Sequence, residues 1–242
     1  VLRGGWEPDA TQVFFKCGDY FGNHGHFDQS GFEIYRHAPL AVDGGYYDGM
    51  TSVHRAYYHS SLAHNTLLVA DPASPRDLGS QRILTYQNAG TLEVFLARKE
   101  LQCGEILDYR QEKDATVVVA DVTPAYEALK VKQFTRILVF LRGIYVVVFD
   151  TVETARSGLR VRFLLHCSTD PAVEGQRVIV TNEPSRLVCD TLWPHEASLK
   201  KVAGFRLDDR EFPLAPDLKT TPDPHYTGSG HVEVEPKALS GP

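Results

Sequence analysis

Short runs of β-branched and aromatic residues, cut at intervals by turn formers, constrain this 242-residue chain more than any other feature. The segments 11–18 (TQVFFKCG), 30–37 (SGFEIYRH), 64–71 (HNTLLVAD), 91–100 (TLEVFLARKE) and 115–123 (ATVVVADVT) read as strands, because Val, Ile, Phe, Tyr and Thr suit a pleated, half-buried surface. Helical 3.6-residue periodicity is nearly absent. QFTRILVFLRGIYVVVFDTV sets two apolar runs on either side of Arg142-Gly143 and predicts a hairpin whose strands are buried on both faces. Runs at 158–168, 177–182 and 185–194 continue at the spacing of an antiparallel sandwich, which makes the expected fold class all-β, an antiparallel two-sheet β-sandwich. In this reading residues 1–205 form the sandwich, and 206–242 supply a Pro-rich connection and a peripheral last strand at HVEVEP on the same domain. GSGH at 228–231 reads as flexible tail, and no catalytic residue is expected in that part.

Composition removes several function classes. Lys and Arg number 25 against 31 Asp and Glu, a net charge of −6, so there is no global basic field to gather nucleic acid or a polyanion. An anionic ligand must meet a local patch. No apolar run reaches the length of a membrane-spanning helix, no signal peptide is evident, and Cys17, Cys103, Cys167 and Cys189 show no CxxC spacing, which argues against a zinc ribbon or a redox pair. Ser60-Ser61 lacks a G-x-S-x-G elbow, and no P-loop or G-x-G-x-x-G is present. Asp108, Glu112 and Asp114 read as solvated turn charges, not as a glycosidase pair.

The strongest chemical signal is a cluster of histidines. Six of the ten fall between residues 24 and 64: His24, His26, His37, His54, His59 and His64. In an extended segment positions i and i+2 share a face, so His24 and His26 could converge on one ion, with Gly25 giving the backbone freedom to bend. Asp28 follows two residues later, Asp43 ends the apolar stretch PLAV, and His64 opens HNTLLV. Carboxylate and imidazole groups at strand ends beside a core are costly to desolvate, and a divalent cation would partner them. An ordinary turn at DGGYYDG and a backbone-capped His64 explain the same residues without a metal.

The block NHGHFDQSGFEIYRHAPLAVDGGYYDG followed by AHNTLLV resembles the β-sandwich part of the heparinase II/III-like polysaccharide lyases. The likeness continues, less sharply, through DVTPAY, FTRILVFLRGIYVVVFDTV and LWPHEASLKKVAG. It implies a supersandwich that acts with an N-terminal helical toroid, absent from this sequence, to cleave an acidic, uronic-acid-containing polysaccharide such as heparin, heparan sulfate or alginate by β-elimination. The resemblance also implies a structural zinc held by His26, Asp43 and His64, a catalytic role for His24, and a periplasmic or secreted parent protein. Tyr57 and Tyr58 are then catalytic candidates, and Asn23, Tyr46, Tyr47, His54 and Arg55 candidate substrate contacts. Without the toroid, the chain alone is expected to bind metal but to show little or no lyase activity.

Two other readings compete. A cupin-like metal enzyme also uses H-x-H, but Glu33 falls seven positions after His26, on a strand and not in the ligand turn, and Asp43 is left unexplained. A non-catalytic sandwich could instead bind polysaccharide through Trp6, Trp193, Tyr46 and Tyr47, or simply pack against another domain.

Overall fold

A computed structural model describes residues 1–20, 25–45, 54–82, 91–141, 143, 145–212 and 230–237, with backbone alone at 54 and 55. Strands β1 (Leu2–Arg3), β2 (Gln12–Phe15), β3 (Phe32–Arg36), β4 (Ala38–Ala41) and β5 (Leu67–Ala70) come first, followed by the short helix α1 (Leu92–Leu96). Strands β6 (Glu105–Gln111), β7 (Ala115–Asp121), β8 (Val131–Leu141) and β9 (Tyr145–Thr154) form a four-stranded antiparallel meander. The chain continues through β10 (Arg160–Cys167), β11 (Ala172–Glu174), β12 (Arg177–Asn182), β13 (Ser185–Asp190), β14 (Ala197–Ala203), β15 (Arg206–Leu207), β16 (Arg210–Glu211) and β17 (Gly230–Pro236). An eight-stranded sheet runs β1-β2-β3-β4-β10-β17-β14, with β5 also paired to β10.

The two large sheets face one another, as the alternating sequence predicts. Val13, Phe32, Ile34, Leu40 and Leu165 project from the eight-stranded sheet and meet Val118, Leu138 and Phe140 from the meander. In β7 the sequence ATVVVAD buries every second side chain, the period that sets one face on a core. A second apolar layer covers the other face of the large sheet, where Tyr57, Tyr58, Leu62, Leu68, Leu164, Leu207 and Phe212 pack together. Strand β10 lies between these layers, which explains its nearly continuous burial.

Arg136 crosses the sandwich interior and is fully buried. Its guanidinium forms a two-pronged pair with Asp150, Nε to Oδ1 at 2.7 Å and Nη2 to Oδ2 at 2.6 Å. Nη1 donates to the carbonyls of Ser30 at 2.6 Å and Asn65 at 2.9 Å. Phe32, Phe134 and Phe163 surround it, with their ring centres 5.5–5.9 Å away. One side chain of the meander thus anchors the two loops that lead into β3 and β5.

Three expectations need correction. The β8–β9 hairpin forms from Val131↔Thr154 to Leu141↔Tyr145, with one register shift between Val131 and Gln133, but β9 is the edge of the meander and turns Tyr145, Val147 and Phe149 outward, so it is not buried on both faces. Residues 91–100 do not form a strand: the Thr91 hydroxyl accepts from the Val94 amide and starts α1, with Glu93 in its first turn, an N-cap preference that overrides the β-rich composition. The last strand is not peripheral. β17 pairs with β10 on one side and β14 on the other, and Gly230 and His231 of the supposed tail are its first residues. The distant pairing supplies hydrogen bonds that local composition does not reveal.

Candidate metal centre

The loop before β3 and the turn before β5 build this site together. Gly25 and Phe27 are laced to His59: the His59 ring donates from Nε2 to the Gly25 carbonyl at 2.6 Å, and the Phe27 amide donates to the His59 carbonyl at 2.9 Å. These bonds hold the His26 ring edge-on to His59, 5.4 Å between ring centres, just after the π-helical turn His54–Tyr58. A 3-10 turn at Ser61–Ala63, capped by Ser60, then delivers His64 fully buried at its end. Asn65 fixes the next position. Its amide donates to the carbonyls of Phe32 and Val42 at 2.7 and 3.1 Å and accepts from the His166 amide at 2.7 Å, so three strands are tied to the residue after His64.

His64 is the hub. Its Nε2 lies 3.1 Å from the Tyr58 carbonyl and 3.2 Å from His26 Nδ1, and because a carbonyl only accepts, Nε2 carries a proton. The neutral ring then presents a lone pair at Nδ1, and Asp43 Oδ1 stands 2.9 Å from that atom. Two lone-pair donors so close require a proton or a cation between them. Burial acts to lower the His64 pKa, but the charge and hydrogen bonding of Asp43 outweigh it and leave the value raised. Asp28 completes a set with Asp43 and His64 whose donor atoms all lie within 4.8 Å of one another. Two carboxylates and an imidazole are a donor set that a zinc-class ion accepts, and these residues fit one.

Other charges bear on the centre. Lys16 Nζ is 2.5 Å from Asp28 Oδ1 and holds part of the negative charge that a metal would neutralise. Glu33, half-buried on β3, has its carboxyl pushed up to about 7, mainly by desolvation and then by Asp43. Asp28 stands among the carboxylates that the sequence groups with the histidines, whereas Glu33 as a third nearby carboxylate is not signalled by the H-x-H pattern. The alternation His26-Phe27-Asp28 was the available signal for the first.

The remaining candidates divide clearly. Asn23, His24, Tyr46 and Tyr47 lie outside the described residues, and of His54 and Arg55 only the backbone is described. Tyr57 and Tyr58 are each 1% exposed. Tyr57 packs against Phe205 and Phe212, and burial pushes its phenol up, away from the range of a base at neutral pH.

Gly45 explains how Asp43 and Tyr58 share this corner. It adopts φ +95°, and a Cβ there would sit 2.1 Å from the Tyr58 ring. Gly45→Ala is therefore expected to cost at least about 2 kcal/mol, through left-handed strain and overpacking, read as a lowered Tm.

Among the described residues no helix is long and apolar enough to cross a membrane. No curated protein matches the chain. Among solved structures, one described as "Heparinase III-BT4657 gene product" superposes with a TM-score of 0.65 at 18% identity, covering 96% of this chain and 31% of its own. A heparan sulfate lyase HepC mutant from Pedobacter heparinus superposes with a TM-score of 0.66 at 18% identity, covering 99% and 32%. This chain thus spans about a third of the length of these proteins, and at such identity the likeness is one of fold. The family profile described as "Heparinase II/III-like, C-terminal" matches residues 1–227, and the chain belongs to that family.

Proposed function

We propose that this chain is the β-sandwich portion of a polysaccharide lyase that cleaves uronic-acid-containing glycans, of the heparin, heparan sulfate or alginate type, by β-elimination. The observation that carries the reading is the buried His64 hub with Asp43 and His26 on either side of it, inside a chain that matches the family over residues 1–227. The parent protein in this proposal is periplasmic or secreted, and a helical domain supplies the other wall of the substrate cleft.

Asp43 and His64 would hold a structural zinc. The third protein ligand is His26 by family resemblance, whereas Asp28 is the residue whose donor atom lies within 4.8 Å of those of Asp43 and His64. Asp28→Asn and His26→Ala decide between them: the variant that weakens zinc binding by at least tenfold identifies the ligand. When bound, the ion would fix the two loops and orient what they carry. His24, two residues from His26, is assigned the substrate-facing role.

β-Elimination removes the C5 proton of a uronate and expels the 4-oxygen, so it needs a base, a proton donor and neutralisation of the carboxylate. His24 would take the proton or hydrogen-bond the carboxylate. Asn23, Tyr46, Tyr47, His54 and Arg55 would bind the chain on either side, with Arg55 suited to a two-pronged carboxylate or sulfate contact. The buried Tyr57 and Tyr58 would brace this wall.

The expected result is that this span alone forms no unsaturated uronate, followed by ultraviolet absorbance, while the span joined to its helical domain does. His24→Ala in the joined protein should lower kcat by about 10²–10⁴-fold; an unchanged rate would remove His24 from the chemistry.

A non-catalytic, sugar-binding role has one observation in its favour. Trp6 and Trp193 are 86% and 71% exposed, with Arg3 over the Trp6 ring and His195 against the Trp193 ring, and exposed indoles stack on sugar rings. Retarded migration in gels containing heparin or alginate, without product from the joined protein, would favour that role.

A further inference from the structure

The ion pair between Lys16 and Asp28 stands at the rim of the metal centre and bears on how that centre takes up its ion. Lys16 follows β2, and Asp28 lies two residues beyond His26. Backbone bonds clamp the two segments together. The Lys16 amide donates to the Gly31 carbonyl at 3.0 Å, and the Ser30 amide donates to the Lys16 carbonyl at 2.7 Å. The Gly31 amide closes the turn by donating to the Asp28 carbonyl at 2.8 Å. Gln29, inside that turn, is tied to the interior: its amide donates to Gln81 Oε1 at 3.0 Å, and its carbonyl accepts from Gln81 Nε2 at 2.9 Å and Thr66 Oγ1 at 3.0 Å. The Asp28 carboxylate is therefore carried on a fixed turn, and Lys16 Nζ reaches its Oδ1 at 2.5 Å.

An ion pair in open solvent would carry little meaning. This one is different because its carboxylate has a second set of neighbours. Asp28 offers a donor atom within 4.8 Å of those of Asp43 and His64, and Glu33 on β3 feels both Asp43 and Asp28. Three carboxylates thus crowd one imidazole, and like charges so close need a cation among them. Lys16 supplies one. The two partners are unequal in freedom, since the Lys16 side chain is 37% exposed and that of Asp28 only 13%. A lysine stem is flexible and its ammonium is readily hydrated, so Lys16 is the partner that can leave.

We propose that Lys16 is an internal counter-ion of the centre: it holds Asp28 in the metal-free chain and withdraws to solvent when a divalent ion takes that carboxylate together with Asp43 and His64. The inference rests on the metal reading of the centre and is independent of lyase activity. Ammonium and ion compete for the same oxygen-bearing group, and a dication is repelled by a positive charge held a few ångströms away. Lys16 therefore lowers the affinity of the centre while keeping its carboxylates together without a metal. The two effects have opposite signs. Removing the ammonium should tighten metal binding and loosen the metal-free fold.

The test is zinc affinity of the metal-stripped chain, read by competition with a chromophoric chelator, together with Tm with and without zinc. Lys16→Met keeps the length of the stem and removes the charge. It should bind zinc at least about tenfold more tightly than the parent, and its metal-free Tm should fall while its zinc-loaded Tm does not. In the Asp28→Asn background the same substitution should change zinc affinity by no more than about threefold, because the contested carboxylate is gone. Lys16→Gln serves as the second variant where Lys16→Met folds poorly by circular dichroism. A gain of equal size in both backgrounds would overturn the proposal, since Lys16 would then act without Asp28. A parent chain that binds zinc no less tightly than Lys16→Met would overturn this inference alone; absence of zinc binding in both would overturn the metal reading with it.

Discussion

Replacing Arg136 by alanine is expected to lower the unfolding free energy by about 3–5 kcal/mol, the usual cost of removing one partner from a buried ion pair. More than the ion pair is lost. Asp150 would be left facing the space of a missing guanidinium, and the carbonyls of Ser30 and Asn65 would lose their shared donor at the same time. For a domain of this size the change corresponds to a drop in Tm of roughly 6–20 °C. Lysine should rescue little, because an ammonium cannot reproduce the planar fork. A denaturant midpoint that falls without a change in slope would locate the effect in folded-state stability. An alanine variant as stable as the parent would show that the two sheets are held together without this side chain.

Asp43→Ala should remove one equivalent of metal and lower the Tm of the zinc-loaded chain. Asp43 follows β4 and His64 precedes β5, so an ion between them ties two separate parts of the chain, and its binding energy adds to folding energy. With zinc at 100 times its dissociation constant that contribution is about 2.7 kcal/mol, or roughly 5–11 °C in Tm at this size. The parent and the variant should converge when a chelator strips both. Unchanged stoichiometry in the variant would count against Asp43 as a ligand.

The sequence made the sandwich visible wherever strand identity depends on local pattern. ATVVVAD alternates and is half-buried in alternation, and QFTRILVFL and YVVVFDTV pair as adjacent strands. Local pattern failed where a single capping hydroxyl redirected a β-rich segment, at Thr91. It also failed where partners are remote. β17 is central because β10 and β14 leave a place for it, and nothing in HVEVEP alone announces that. The site is legible in the same uneven way. H-x-H, Asp43 and His64 stand out as residue types, whereas the roles of Asn65 and Arg136 depend on contacts between positions up to 106 residues apart. The choice between Asp28 and His26 depends on how the side chains around His64 are turned, with His26 at Nε2 and Asp43 at Nδ1, a matter of orientation that spacing does not encode.

The position of β17 also governs the order of events during synthesis. Until Gly230–Pro236 has left the ribosome, the edges of β10 and β14 that it joins remain unpaired, with their backbone donors and acceptors exposed. Open strand edges recruit other chains, and pairings between distant segments form slowly. The nascent chain therefore carries two open strand edges from the time β10 and β14 emerge until β17 follows them, and this one strand closes both.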